Sequence, residues 1–340
     1  MLILSNCLTE KADEGCLKVA NSLVKRILKE APDTSVITYE RKPNFDSLHL
    51  RLNKLLISKK LFTAIRKNSQ PILYIPFPAK EWATALRVFL ISLVSKKSVT
   101  VLLTMLCECG FFGRLLFKFS RAKIVTLSQS TQPIYKKAVG EKRVNYLKTG
   151  VDTERFCPVT QEKKVELRKK YGISPDKPVI LHVGHLKSGR NIAEMKKFGS
   201  QYQVVLVVST LTKDEQDETI RKELSEQGNI KIIDEYIPNI EEIYQLSDVY
   251  FFPVVASGNC IDIPLSCMEA ASCNKPVVTT LYGEMSSFKG KDGFLFIESF
   301  DSEHLNDAVA TALETDEVHT REQVFEYDWN NAVSYFKSIE

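Results

Sequence analysis

Two segments hold residues whose types and spacing could do chemistry. The first is Val183-Gly-His-Leu-Lys-Ser-Gly-Arg-Asn191. It follows an apolar run that reads as a strand, and it opens a helical pattern. Gly184 and Gly189 let main chain come close to a ligand, and the free N–H groups at a helix start suit a phosphate. Lys187 and Arg190 would add positive charge toward the same anion. An ordinary strand-to-helix turn with solvated basic side chains has the same look, so the segment alone leaves both readings open. The second segment runs from Asn259 to Thr280. Asp262 reads as a helix N-cap and Pro264 falls near N1, where its fixed φ suits a first turn. Glu269 then lies in an otherwise apolar, small-residue helix. There it either has a partner or a job, or it faces solvent from an amphipathic helix.

The elements that must position these residues alternate along the chain. Strands are predicted at Leu2–Leu4, Ser35–Thr38, Ile72–Pro76, Ser98–Thr104 and Lys123–Leu127, with helices at Glu14–Leu28, Leu48–Arg66, Lys80–Val94 and Phe111–Phe119 between them. In the second half the strands are Pro178–Val183, Gln203–Val208, Ile230–Ile233, Val249–Pro253, Pro276–Thr280 and Phe294–Ile297, with helices including Asn239–Leu246 and Pro264–Ser272. Strand–helix alternation of this kind means parallel sheets covered by helices, here two Rossmann-like α/β units. The join is expected within Thr149–Pro158, where Gly, Asp and Pro interrupt the pattern. The expected domains are therefore 1–149, 150–322 and a closing segment 323–340.

Four segments, taken in order and spacing, resemble the retaining glycosyltransferases of family four. They are Gly150-Val-Asp-Thr-Glu-Arg-Phe-Cys-Pro158, Ile180 to Asn191, Ser247-Asp-Val-Tyr-Phe-Phe-Pro253, and Pro264 to Thr280. The likeness covers about residues 120–300 well and the first 120 residues only in pattern. It implies a GT-B architecture: two Rossmann-like domains facing each other across a cleft, with the segment from Val324 to Trp329 and beyond resembling a terminal helix that packs back on the first domain. It also implies roles for single residues. Glu269 would hold the ribose hydroxyls of a nucleotide, and Arg190 would neutralise the donor diphosphate. Gly184, His185 and Asn191 would form the phosphate loop. The helix beginning near Pro264 and Leu265 would point its positive end at the diphosphate. Tyr236 and Ile237 would flank the base, Val208, Ser209 and Thr210 would line the nucleotide side, and Gly15 would face the donor from the first domain.

The chain departs from the family at three places. Ile261 stands where an acidic residue is usual, His185 stands where arginine is usual, and His49 is the only histidine before residue 150. Asp262 and Lys187 are the expected stand-ins, so Arg190, Lys187 and Asp262 are the candidate catalytic set. The activity implied is a hexosyltransferase-type, retaining transfer from a nucleotide-diphosphate sugar, UDP-sugar favoured over GDP-sugar. The acceptor would be a glycan or lipid-linked molecule in surface polysaccharide or glycolipid synthesis. No Asp-X-Asp cluster is present to hold a divalent ion against a diphosphate, so no metal and no cofactor is expected. The alternative is a non-catalytic, transferase-like accessory subunit that partners an active enzyme.

Composition bounds the partners. The 340 residues are 44% apolar and 26% charged, as in ordinary globular proteins. Residues 1–150 carry 26 Lys/Arg and 10 Asp/Glu, whereas the rest carry 20 and 32. A basic half of this size asks for an anionic partner. Nucleic acid is disfavoured because no recognition module is present. A dehydrogenase lacks its Gly-X-Gly-X-X-Gly turn, and a glycan phosphorylase needs a much longer chain. Phe111 to Lys123 interleaves four Phe with Arg114, Lys118, Arg121 and Lys123. Phe111, Arg114 and Lys118 could lie on an anionic membrane, although a helix with its aromatics turned into the core is the favoured reading. The cysteines, of which only Cys107 and Cys109 lie close together, form neither a zinc spacing nor a disulfide framework. With no leader and no run of roughly 18 apolar residues, the expectation is a cytoplasmic protein, peripheral on the inner membrane face.

Overall fold

Val-, Ile- and Leu-rich runs of four to six residues form strands buried on both faces, as parallel sheets require. In the computed structural model, residues 1–9, 14–53, 55–79, 82–107, 110–209, 216–256, 258–315 and 318–338 are described. The chain divides into two units. One is Met1–Thr149 with Cys260–Ile263 and Trp329–Glu340, and the other is Gly150–Asn259 with Pro264–Asp328. Lys80, Cys109 and Thr210 lie outside the described residues.

The first unit contains β1 (Leu2–Ser5), α1 (Gly15–Glu30), β2 (Ser35–Thr38), β3 (Leu48–His49), α2 (Lys59–Lys67), β4 (Ile72–Ile75), α3 (Ala83–Val94), β5 (Val99–Leu103), α4 (Gly110–Phe119), β6 (Lys123–Thr126), α5 (Gln132–Val139) and β7 (Val144–Tyr146). Its seven-stranded sheet runs β3-β2-β1-β4-β5-β6-β7, and every pairing is parallel. The single helix predicted over Leu48–Arg66 is instead a short edge strand followed by α2. Leu48 pairs with Ile37. Asn53 Oδ1 then accepts the N–H groups of Leu55 and Ile57, and the Ser58 hydroxyl caps α2 by accepting from Leu61 N–H. These local bonds offer the backbone a turn in place of helix.

The second unit contains α6 (Gln161–Lys170), β8 (Val179–Gly184), β9 (Gln203–Val208), α7 (Glu218–Ser225), β10 (Ile230–Ile233), α8 (Glu241–Leu246), β11 (Val249–Phe252), α9 (Leu265–Ser272), β12 (Val277–Thr279), β13 (Phe294–Phe296), α10 (Ser302–Glu314) and α11 (Thr320–Val324). Its six-stranded parallel sheet runs β10-β9-β8-β11-β12-β13. One core side is built from Ile180, Val204, Leu206, Val249, Phe251 and Val278. Asp248, just before β11, ties α6 to this sheet: it pairs with Lys164 and Arg168 and accepts the Val179 N–H at 2.6 Å. The final helix, α12 (Trp329–Ser338), belongs to the first unit, where it packs on α1 with a Lys337–Glu30 ion pair.

Candidate functional site

In the second unit the strand order reverses between β8 and β11. In open parallel sheets ligands bind beyond the carboxyl ends of the strands at such a point. The β8–β9 ladder continues to Gly184↔Val208, but β8 and β11 pair only at Ile180↔Val249 and Leu181↔Tyr250. Past that register side chains take over the bridging. The His182 Nδ1 lies 2.8 Å from the Phe251 carbonyl. Val183 N–H donates to the Tyr250 hydroxyl, which donates to the Val183 carbonyl.

The loop leaving β8 gathers its polar groups here. Arg190 is 9% exposed, and among the described residues its guanidinium has no hydrogen bond or ion pair. A cation this buried normally has a partner. A Cβ on Gly184 would meet His182 Nε2 at 2.9 Å and Arg190 Nη1 at 3.0 Å, so glycine is what lets the guanidinium approach. Among the described residues, His182 Nε2 and the Ser209 hydroxyl are buried with no hydrogen-bond partner. Ser209 is held beside Gly184 by its N–H to the Gly184 carbonyl at 3.0 Å. Asn191 takes the left-handed conformation at φ 55°, and its side-chain amide donates to the Pro253 carbonyl, which fastens the loop to the end of β11. Burial, then Arg190 and Lys187, push the His185 imidazole down to about 3, so it is neutral near pH 7.

Glu269 is buried on α9, not turned to solvent. Its Oε2 accepts the Tyr244 hydroxyl at 2.8 Å. Burial, then the Glu269 charge, hold that hydroxyl far above its ordinary value, so it stays a donor. α9 begins at Leu265 with Pro264 as its N-cap residue. Asp262 is therefore not the cap that its position suggests. Its N–H is committed to the Thr104 carbonyl at 3.0 Å, and Cys260–Ile263 lies in the first unit. There Ile261, 3% exposed, packs over the place a Cβ on Gly15 would occupy, 3.2 Å away. Lys187 precedes the short turn Ser188–Arg190. Tyr236, 45% exposed, and Ile237 follow β10. Among the described residues no three His, Cys, Asp or Glu side chains gather as a metal site.

The aromatics of α4 overturn the core-helix expectation. Phe111, Phe112 and Phe119 are 75%, 77% and 62% exposed, and Leu115 is partly so, whereas only Gly113 and Phe117 are buried. At 100° per residue the four exposed apolar side chains form one stripe, with Arg114 and Lys118 along its flank. Beside α4 a 510 Å³ pocket is lined by Leu106, Cys107, Arg114, Phe117, Ile134 and Tyr135, among others. No helix among the described residues is long and apolar enough to cross a membrane. Sequence reasoning missed His182. Its signal was a lone imidazole in the otherwise aliphatic run Val179–Val183.

Residues 177–315 match the family described as Glycosyl transferases group 1. A Bacillus subtilis protein named as a putative teichuronic acid biosynthesis glycosyltransferase, TuaC, is 25% identical over 196 residues, which are 56% of this chain and 46% of that protein. The chain thus spans about half the length of that relative. A glycosyltransferase from Rickettsia africae superposes with a TM-score of 0.79 at 16% identity, over 99% of this chain and 97% of its own. Anabaena Alr3699/HepE, solved in complex with UDP-glucose, gives 0.78 at 14% identity over the full length of both. The chain has the α/β fold, with two parallel sheets, of GT-B glycosyltransferases, and its residues 177–315 are similar to the group 1 glycosyltransferase domain.

Proposed function

We propose that the chain is a glycosyltransferase that moves a sugar from a UDP-sugar to a glycan or lipid-linked acceptor in surface polysaccharide or glycolipid synthesis. The observation that carries this reading is the unpaired Arg190 guanidinium at the β8–β11 switch point, beside the orphan Ser209 hydroxyl. A diphosphate supplies what both lack. As the bond from sugar to β-phosphate breaks, negative charge grows on the diphosphate and positive charge on the anomeric carbon. Arg190, Lys187 and the free N–H groups at the start of α9 would stabilise that leaving group, so the chemistry needs no divalent ion. Glu269 would take the ribose hydroxyls. Transfer with retention follows the resemblance to family four. The UDP-glucose complex of the Anabaena protein supports the donor, and the name of the Bacillus relative supports the polysaccharide.

The acceptor end of this reading lies at an anionic membrane surface, the inner face of the cell membrane. The exposed stripe Phe111, Phe112, Leu115 and Phe119 would enter the headgroup boundary while Arg114 and Lys118 meet lipid phosphates. The neighbouring pocket, one arginine among apolar side chains, suits a lipid with an anionic head.

Thermal unfolding with UDP, GDP, ADP and dTDP, each with and without Mg²⁺, tests the donor site. At 100 times its dissociation constant UDP should raise the midpoint by roughly 2–4 °C, equally with and without the ion. No shift with any nucleotide would overturn the reading. One observation favours a second reading: Ile261, buried on Gly15, puts no carboxylate where family four carries one. A non-catalytic accessory subunit would bind UDP and yet neither transfer nor hydrolyse the sugar of any UDP-sugar offered to it.

A further inference from the structure

The imidazole of His182 has no role in that reading, yet it occupies the floor of the switch point. It is fully buried beside Tyr250 and Phe252, whose rings lie nearly parallel to it. A carbonyl can only accept, so the contact to Phe251 O places the proton on Nδ1. Burial pushes the ring down to about 4, so it is neutral. Nε2 is then a bare acceptor, buried and unpartnered. Nε2 and Arg190 Nη1 both border the place that a Cβ on Gly184 would take, at 2.9 Å and 3.0 Å from it.

We propose that His182 is a positioning residue for Arg190: once a donor diphosphate draws the guanidinium in, the unpartnered Nε2 accepts one of its N–H groups and so directs the others at the phosphates. A guanidinium carries five N–H donors in a rigid fork. Fixing one edge therefore orients the rest. A carboxylate in this place would orient the fork equally well, but it would cancel the charge the diphosphate needs. A neutral imidazole orients it and leaves the charge whole. The absence of a side chain at Gly184 is the third part of the device, because a Cβ would stand between the two groups.

This rests on the donor-site reading, and titration calorimetry separates the two. The probes are UDP and inorganic pyrophosphate, at neutral pH, with the full chain. His182→Asn keeps a donor for the Phe251 carbonyl and removes Nε2, whereas His182→Gln keeps an acceptor near Nε2. The Asn variant should bind both probes about tenfold more weakly, the size of one lost hydrogen bond to a charged group, and the Gln variant should recover most of the loss. In an Arg190→Ala background the Asn change should cost less than about twofold, since the effect passes through the guanidinium. Gly184→Ala should mimic the loss, which keeps the test intact where His182→Asn does not fold. Wild-type affinity in His182→Asn, or an undiminished cost in the Arg190→Ala background, overturns the role of His182 alone. Failure of the unsubstituted protein to bind either probe overturns the donor site and this role with it.

Discussion

Single residues decide whether the switch point of the second unit can hold an anion. Arg190 brings an uncompensated charge, and Glu269 brings a buried carboxylate already oriented by Tyr244. Arg190→Ala should weaken UDP by roughly 10–100-fold, since hydrogen bonds to a charged group contribute about 1.5–3 kcal/mol. It should leave the unfolding midpoint without ligand nearly unchanged, because in the ligand-free structure no described protein group hydrogen-bonds the guanidinium. Glu269→Gln should weaken UDP about tenfold and leave pyrophosphate unaffected, as pyrophosphate has no ribose; calorimetry with both ligands checks the split. His182 and His185 also give folding a pH dependence. Their folded values, about 4 and about 3, lie below the unfolded value near 6.5, so the unfolded chain takes up protons first as pH falls. Stability should therefore drop from pH 6.5 toward pH 4, by up to about 1.4 kcal/mol per pH unit for each histidine. Denaturant midpoints that stay flat over that window would refute it. Glu269 in a small-residue helix stood out in the sequence. That its carboxylate is buried on a tyrosine did not, because Tyr244 is 25 positions away.

At the scale of elements, α6 and α4 make opposite use of charge. α6 is held to its sheet by Asp248, whose carboxyl lies below the usual range: burial opposes ionisation, but Lys164, the Val179 N–H and Arg168 outweigh it. Asp248→Asn leaves Arg168 buried without its partner and should cost about 3 kcal/mol in denaturant unfolding. Because this carboxyl is depressed, its contribution is complete above about pH 3.9 and is lost only as pH falls below that. The loss between pH 6.5 and about 5, above the ordinary carboxylate range, thus belongs to the histidines. α4 instead turns its apolar stripe outward. Replacing Phe111, Phe112 and Phe119 with Ser should change folding by under about 0.5 kcal/mol each, yet abolish sedimentation with anionic vesicles. Retained sedimentation, or a large loss of stability, would show that the stripe serves the fold. The pattern of α4 was legible in the sequence, but its outward face was not. Periodicity shows that a helix has two faces and not which one the sheet covers.

For the whole molecule, the uneven charge sets the conditions under which binding should be seen. Between residues 51 and 150 there are 19 Lys/Arg against three Asp/Glu, while the first 50 residues hold seven of each. Vesicle binding should need anionic lipid and should fade as salt rises from 0.05 to 0.5 M, as the screening length shrinks from above to below about 10 Å. Binding to zwitterionic vesicles of equal strength, or indifference to salt, would remove charge from the account.

The sequence by itself determined the fold class, because aliphatic runs at strand length separated by amphipathic stretches have few other ways to bury themselves. It also marked the residues worth watching: Gly184 and Arg190 in the turn that leaves a strand, where chemistry is often placed, and Glu269 as a lone charge within an apolar helix. Tertiary structure alone decided that β8 and β11 part after Leu181, so that His182 and Tyr250 fill the gap. It decided too that Pro264 holds the N-cap position of α9 while the Asp262 N–H meets the Thr104 carbonyl, and that Ile261 closes over Gly15. The physical reason is common to all three. Periodicity and spacing record which face of an element is apolar, but an unpaired acceptor, an oriented guanidinium or a covered glycine depends on atoms brought together from distant parts of the chain.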